Sequence, residues 1–399
     1  MKKLLKIFIY SFTIFVAVSS ILLFTGASNA YAQSDEDESE DFLKVGGALR
    51  FNLLHRDFEG GTDPNSTQFT FDTWRINILA EHSGVGINFE YRFYPTFNTH
   101  FIKQGWFEHG ITDKTTVQLG VTQVPFGNLQ YNSHNWWFQG PYYVGLEDDH
   151  DMGIKVIHKE KKWDLMVAYF IQPEPSGPAN GEASFGIGGS GRYSYDMIPT
   201  EGFSNQEKQQ GNIRYSRLLT HGNGSTEIGG SVMYGGIYNS VLDDFSDRSA
   251  LAFHLDGNYG NWNILGQFTY YNFNALNDDG SSAELINVGA YGIPYDIASE
   301  AAMYSLGIAY SWDVDFGPVS NLTFYDDYTF MDKANSSFNE SHQNVLGMLA
   351  TVGNMFIYFD LASGLNHPWL TSDFGVGMDE GVEDPRFNSR FNINIGYYF

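Results

Sequence analysis

Between Phe126 and His150 the chain holds no lysine or arginine, yet it carries Glu147, Asp148 and Asp149 and gathers Trp136, Trp137, Phe138, Tyr142 and Tyr143. Elsewhere four arginines, Arg50, Arg75, Arg92 and Arg390, stand in segments whose side chains alternate between polar and apolar. Carboxylates opposed to guanidiniums across a narrow space would create a transverse field that sorts solutes by charge. A line of aromatic faces would instead stack on sugar rings or other flat solutes. Both sets also have a plainer use. Arginines paired with Asp72, Glu90 or Asp360 on neighbouring strands would stiffen a wall without selecting anything, and Trp136, Trp137 and Phe138 would pack a loop against that wall.

Bond-making chemistry has little to draw on. The chain has no cysteine and no Gly-x-Ser-x-Gly turn, so two common nucleophile arrangements are missing. His100, His109, His134 and His150 fall mostly near loops, where a solvated ring is expected. Asp148, Asp149, His150 and Asp151 are ligand types suited to calcium or zinc, but the regular ligand spacings are absent. No metal, no cofactor and no enzyme activity are expected. A net charge of −25 argues against nucleic acid as a partner.

Two kinds of element must position these residues. Residues 1–32 have a basic start at Lys2, Lys3 and Lys6, an apolar run over 7–24 and an Ala30-Tyr31-Ala32 site, the pattern of a cleaved secretory signal peptide. Residues 33–42 hold six acids between Asp35 and Asp41 and read as an acidic, disordered tail. From 43 to 399 the period is two. Val85, Ile87, Phe89, Tyr91 and Phe93 alternate with Gly86, Asn88, Glu90, Arg92 and Tyr94. About sixteen such segments occur, each near the length of a tilted membrane strand. Three of them, 99–111, 319–328 and 342–352, alternate poorly. Links between segments are short and long in turn, as periplasmic turns and external loops would be, with 95–98 the short exception. The 33 Phe, 25 Tyr and 8 Trp supply an apolar face, with Trp74, Trp262 and Trp312 near strand ends. An all-β, antiparallel transmembrane barrel follows, because lipid tolerates no open sheet edge. Closing the ring makes the strands of Arg390, Arg50, Arg75 and Arg92 neighbours.

In the final segment Phe391, Ile393, Ile395, Tyr397 and Phe399 share one face and Arg390, Asn392, Asn394, Gly396 and Tyr398 the other. An end on Phe399 resembles the signal by which barrel-insertion machinery recognises outer-membrane proteins. Gly120 to Gly127, GVTQVPFG, resembles the G-x-x-x-x-P-F-G segment of the porin O and P superfamily through Gly120, Pro125, Phe126 and Gly127, and GLEDDHDMG from Gly145 is similar to that family's return into the barrel. The resemblance implies a sixteen-stranded outer-membrane channel, commonly a homotrimer in lipid, whose third external loop folds into the lumen as a constriction. On that expectation small hydrophilic solutes or ions diffuse through, and the acidic loops give the mouth a mild cation preference. Phosphate selectivity is not expected, since it needs a convergent cluster of Arg and Lys. An aromatic, carbohydrate-type slide is the alternative, ahead of a barrel enzyme or adhesin.

Overall fold

The computed structural model describes residues 41–58, 66–179, 186 and 188–399. The expected signal peptide, and the acidic tail up to Glu40, lie outside the described residues. Sixteen strands close into one antiparallel barrel. They are β1 (Phe42–Arg56), β2 (Thr67–His82), β3 (Val85–Tyr94), β4 (Thr99–Thr112), β5 (Thr115–Gln123), β6 (His150–Glu160), β7 (Trp163–Pro173), β9 (Asn205–His221), β10 (Gly224–Asn239), β11 (Asp244–Tyr259), β12 (Trp262–Phe273), β15 (Glu300–Phe316), β16 (Val319–Lys333), β17 (Ser341–Val352), β18 (Met355–Leu365) and β19 (Asn388–Tyr398). Three short strands, β8 (Asp196–Met197), β13 (Leu285–Ala290) and β14 (Ile293–Ala298), form a separate sheet from two of the long loops.

The barrel follows from two-residue alternation. On β15, Tyr304, Leu306 and Ile308 are exposed outward, while Met303, Ser305 and Ala309 are buried inward. On β19, Phe391 and Tyr397 are exposed and Asn392 and Asn394 buried. Such a surface, apolar all round, suits hydrocarbon and not water. Trp262 lies over Tyr310 at the turn end of its strand, with ring centroids 4.8 Å apart, where an interfacial aromatic belt belongs. The ring shuts between β1 and β19, from Ala48 opposite Tyr398 to Arg56 opposite Arg390. Beyond that register Gly47 and Phe399 exchange both backbone hydrogen bonds, at 2.8 and 3.1 Å. A Cβ on Gly47 would meet the Arg75 carbonyl oxygen at 2.3 Å, so the seam requires glycine there.

Short turns and long loops alternate as expected, with one addition. Strands β10 and β11 pair up to Asn239 and Asp244, so the connection there is also short. The three poorly alternating segments are all strands. Their inward residues include Phe101, Tyr325 and Val345, all buried. Over this part of the wall the inside is packed protein, so both faces call for apolar side chains and the alternation blurs.

Candidate functional site

What fills the inside is the third external loop, residues 124–149. Its entry is built by the glycines of the GVTQVPFG segment. Gly120 has φ +141°, and a Cβ there would meet the Gly105 carbonyl oxygen at 2.3 Å, so only glycine lets β5 leave β4 at this point. Gly127 has φ +63° and a Cβ would strike the Gln267 amide at 2.3 Å. Its N–H donates to Ser231 Oγ at 3.1 Å and its carbonyl accepts from Arg214 Nε at 2.8 Å. Pro125 lies between Val124 and Phe126, which are buried in the core.

From there the loop runs along the inner wall, and each anchor is an inward polar side chain of a barrel strand. Asn128 N–H donates to Gln267 Oε1 on β12 at 2.8 Å. Asp327 on β16 accepts from His134 N–H at 2.7 Å and from the Asn135 amide at 2.6 Å, and pairs with His134 Nδ1 at 2.7 Å. Asp360 on β18 accepts from Trp136 N–H at 3.4 Å, and Gln343 on β17 donates to the Phe138 carbonyl at 3.2 Å. Gly140 N–H reaches Thr329 Oγ1 at 3.2 Å. The loop therefore occupies the side of the lumen faced by β9 to β18, and its buried backbone groups find partners there.

The opposite side, β19–β1–β2–β3, carries the four arginines. Arg50 Nε lies 2.8 Å from Asp72 Oδ2. Arg75 Nη1 lies 3.5 Å from Glu90 Oε1, which also holds Arg92 Nε. Three of the guanidiniums also meet a ring: Arg75 lies 5.0 Å over Tyr398, Arg92 4.7 Å over Tyr193, and Arg390 4.6 Å over Trp137. A cavity of about 430 Å³ runs between this wall and the loop. Among the described residues five arginines, the fifth being Arg56, line it with a single carboxylate, Asp72. Its lining extends from Phe356 and Tyr398 at the turn end to Phe97 and Trp369 at the loop end, so it follows the barrel wall lengthwise.

Trp136, Trp137, Phe138, Tyr142 and Tyr143 all line the same cavity, with Tyr131. Trp137 is buried against Phe58, Val345 and Leu370, whereas Trp136 is half-buried. Phe138 stacks on Tyr142 with centroids 4.1 Å apart. Tyr142 meets the Tyr291 hydroxyl, and Tyr295 donates to the Tyr143 carbonyl at 2.7 Å. Trp369 donates to the Tyr195 hydroxyl at 2.7 Å. Tyr193, Tyr195, Tyr291 and Trp369, from three further loops, complete an aromatic cluster that the sequence reading did not assemble. Desolvation keeps the Tyr142, Tyr143, Tyr193 and Tyr291 hydroxyls neutral, raising each well above the usual range.

Glu147, Asp148 and Asp149 stand apart from the cavity lining. Glu147 accepts from Asn132 N–H at 2.9 Å, and burial pushes its carboxyl up to about 8. Asp148 pairs with Lys103 Nζ at 3.0 Å and accepts from Tyr193 Oη at 2.6 Å and Gln123 Nε2 at 2.9 Å. Asp149 turns away toward Asp151, Glu174 and Asp196. The arginine ladder and the acidic trio thus do not face each other across the cavity; lysine and tyrosine hold Asp148, and the facing surface is aromatic.

No family model matches the chain, and no curated protein matches it. Among solved structures it is similar to the outer membrane channel DcaP of Acinetobacter baumannii, with a TM-score of 0.55 at 11% identity over 92% of this chain and 100% of that one. It is similar to the anion-selective porin from Comamonas acidovorans, with a TM-score of 0.52 at 14% identity over 90% of this chain and 100% of that one. In-vitro folded OmpT of Vibrio cholerae, an outer membrane protein in its trimer form, aligns with a TM-score of 0.51 at 12% identity over 90% of this chain and 100% of that one. At such identities the likeness is one of fold alone, the closed sixteen-stranded antiparallel barrel.

Proposed function

We propose that this protein is an outer-membrane diffusion channel for small hydrophilic solutes, narrowed by its third loop and biased toward anions at the narrow part. The observation that carries this reading is the lengthwise cavity with five arginines and one carboxylate in its lining. A cation entering it gives up hydration against guanidiniums, while an anion is met by donors already oriented by Asp72 and Glu90. This replaces the mild cation preference expected from the acidic loops, because the loop carboxylates nearest the passage are engaged or buried. Export by a cleaved signal peptide and assembly into a homotrimer belong to the same proposal.

Planar-bilayer recording of the refolded protein tests it. Stepwise conductance is expected, and a reversal potential in a KCl gradient on the chloride side. Absence of steps ends the channel reading, and a cation-side reversal potential ends the anion bias. The Phe138–Tyr142 stack supports one second reading, a slide for flat sugars. Concentration-dependent block by maltose-like sugars would promote it.

A further inference from the structure

Asp149, Asp151, Glu174 and Asp196 are all buried, and each offers an oxygen within 4.8 Å of the others'. They come from four places: the end of the third loop, the second residue of β6, the residue after β7, and β8 in the loop between β7 and β9. One oxygen of three of them is satisfied from outside the group. Asp151 Oδ2 accepts from Gln210 Nε2 at 3.2 Å, Glu174 Oε1 from Ser194 N–H at 2.9 Å, and Asp196 Oδ2 from Arg192 Nη1 at 2.7 Å. Asp149 Oδ1, Asp151 Oδ1 and Glu174 Oε2 are fully buried and have no donor among the described residues. Arg248 lies close enough to act electrostatically on Asp149, Asp151 and Asp196, but its Nη1 is paired with Glu207. Five carboxylates, counting Glu207, therefore meet two guanidiniums.

Uncompensated buried carboxylate oxygens are costly unless a donor or a cation meets them. We propose that these four carboxylates hold one calcium ion, which ties the end of the third loop and the loop between β7 and β9 to the barrel wall. The donor set is all oxygen, with no thiolate or imidazole. His150 is excluded because its Nδ1 turns back to the Asp148 carbonyl at 2.8 Å. Hard oxygen donors select calcium or magnesium over zinc. Magnesium demands near-ideal octahedral geometry and keeps several waters, whereas calcium accepts irregular cages built from protein carboxylates.

The test uses the full refolded chain in detergent, stripped with EDTA. Calcium content after gel filtration should be one ion per chain, and the temperature at which the compact electrophoretic band unfolds should rise with calcium and less with magnesium. Terbium, a calcium surrogate, should bind and be displaced by calcium, with Tyr195, adjacent in sequence to Asp196, sensitising its emission. Glu174→Gln and Asp196→Asn should each weaken calcium binding roughly tenfold or more. In EDTA the Gln variant should unfold at an equal or higher temperature than the parent, since a like-charge contact is relieved. No calcium in the folded parent, or the same thermal response to calcium in both variants, overturns the proposal. If a variant fails to give a compact band, terbium displacement on the parent decides alone, and its absence overturns the site.

Discussion

The two sides of the lumen use the same kind of inward polar residue in opposite ways. From β9 to β17, Arg214, Gln267, Asp327, Thr329 and Gln343 are engaged by the third loop and hold its backbone. From β19 round to β3, Arg50, Arg75 and Arg92 pair with carboxylates of their own wall and keep their remaining surface toward the cavity. On the first side polar groups replace the water a loop would lose. On the second they keep a surface turned to the cavity, which the proposed reading assigns to a passing solute. Inward polarity alone therefore does not mark a selectivity residue; what matters is whether part of the group still faces the cavity once its protein partners are met.

The largest effect expected from breaking this contrast is at Asp327. Asp327→Ala strands the His134 and Asn135 donors and should cost about 3 kcal/mol or more. The unfolding temperature should fall and single-channel conductance rise as the loop loosens; no change in either would show that the loop is held elsewhere. Next come matched arginine variants. Arg75→Ala with Arg92→Ala should move the reversal potential toward the cation side, whereas Arg214→Ala should lower stability by about 1.5–3 kcal/mol and leave selectivity alone. Equal shifts in selectivity from both would erase the distinction between the two sides. A smaller effect is expected from acid. His367 packs on Tyr143 at 4.5 Å, and burial lowers its ring to about 3 from the ordinary 6.5. A depressed value means that its contribution is present above 6.5 and lost as pH falls toward 3. The loop between β18 and β19 should therefore loosen between these limits, visible as faster proteolysis after Phe374 or Phe387, and His367→Gln should flatten that dependence. Smallest is Trp136→Ala, expected to cost about 1 kcal/mol and to weaken any sugar block with ion selectivity intact.

Much of the barrel was legible in the sequence because a wall with two solvents imprints period two on the chain. All sixteen segments form strands, and the four arginines do line one wall. Segments such as 342–352 are hard to read because Val345, an inward position, faces packed protein. The hairpin of β13 and β14 was passed over inside a long loop, although Ile286, Val288 and Ala290 alternate and Tyr291-Gly292, both at positive φ, make a two-residue turn. The aromatic cluster and the carboxylate group were beyond reach for another reason. Tyr142 meets Tyr291, and Asp149 meets Asp196, only because separate loops converge above the third one, and no local period records such convergence.

The seam between β1 and β19 has a consequence for assembly. Asn52 and Asn394 meet across it at 2.8 Å though 342 residues apart in the chain, a contact whose loop-closure entropy must be met late in folding. Arg50 and Arg390 sit on these two strands and reach a common cavity only once the ring is shut. If the barrel is the channel proposed above, a nascent open sheet would offer ions no conduit, and the arginine wall would come into being in the same step as the opening beside it.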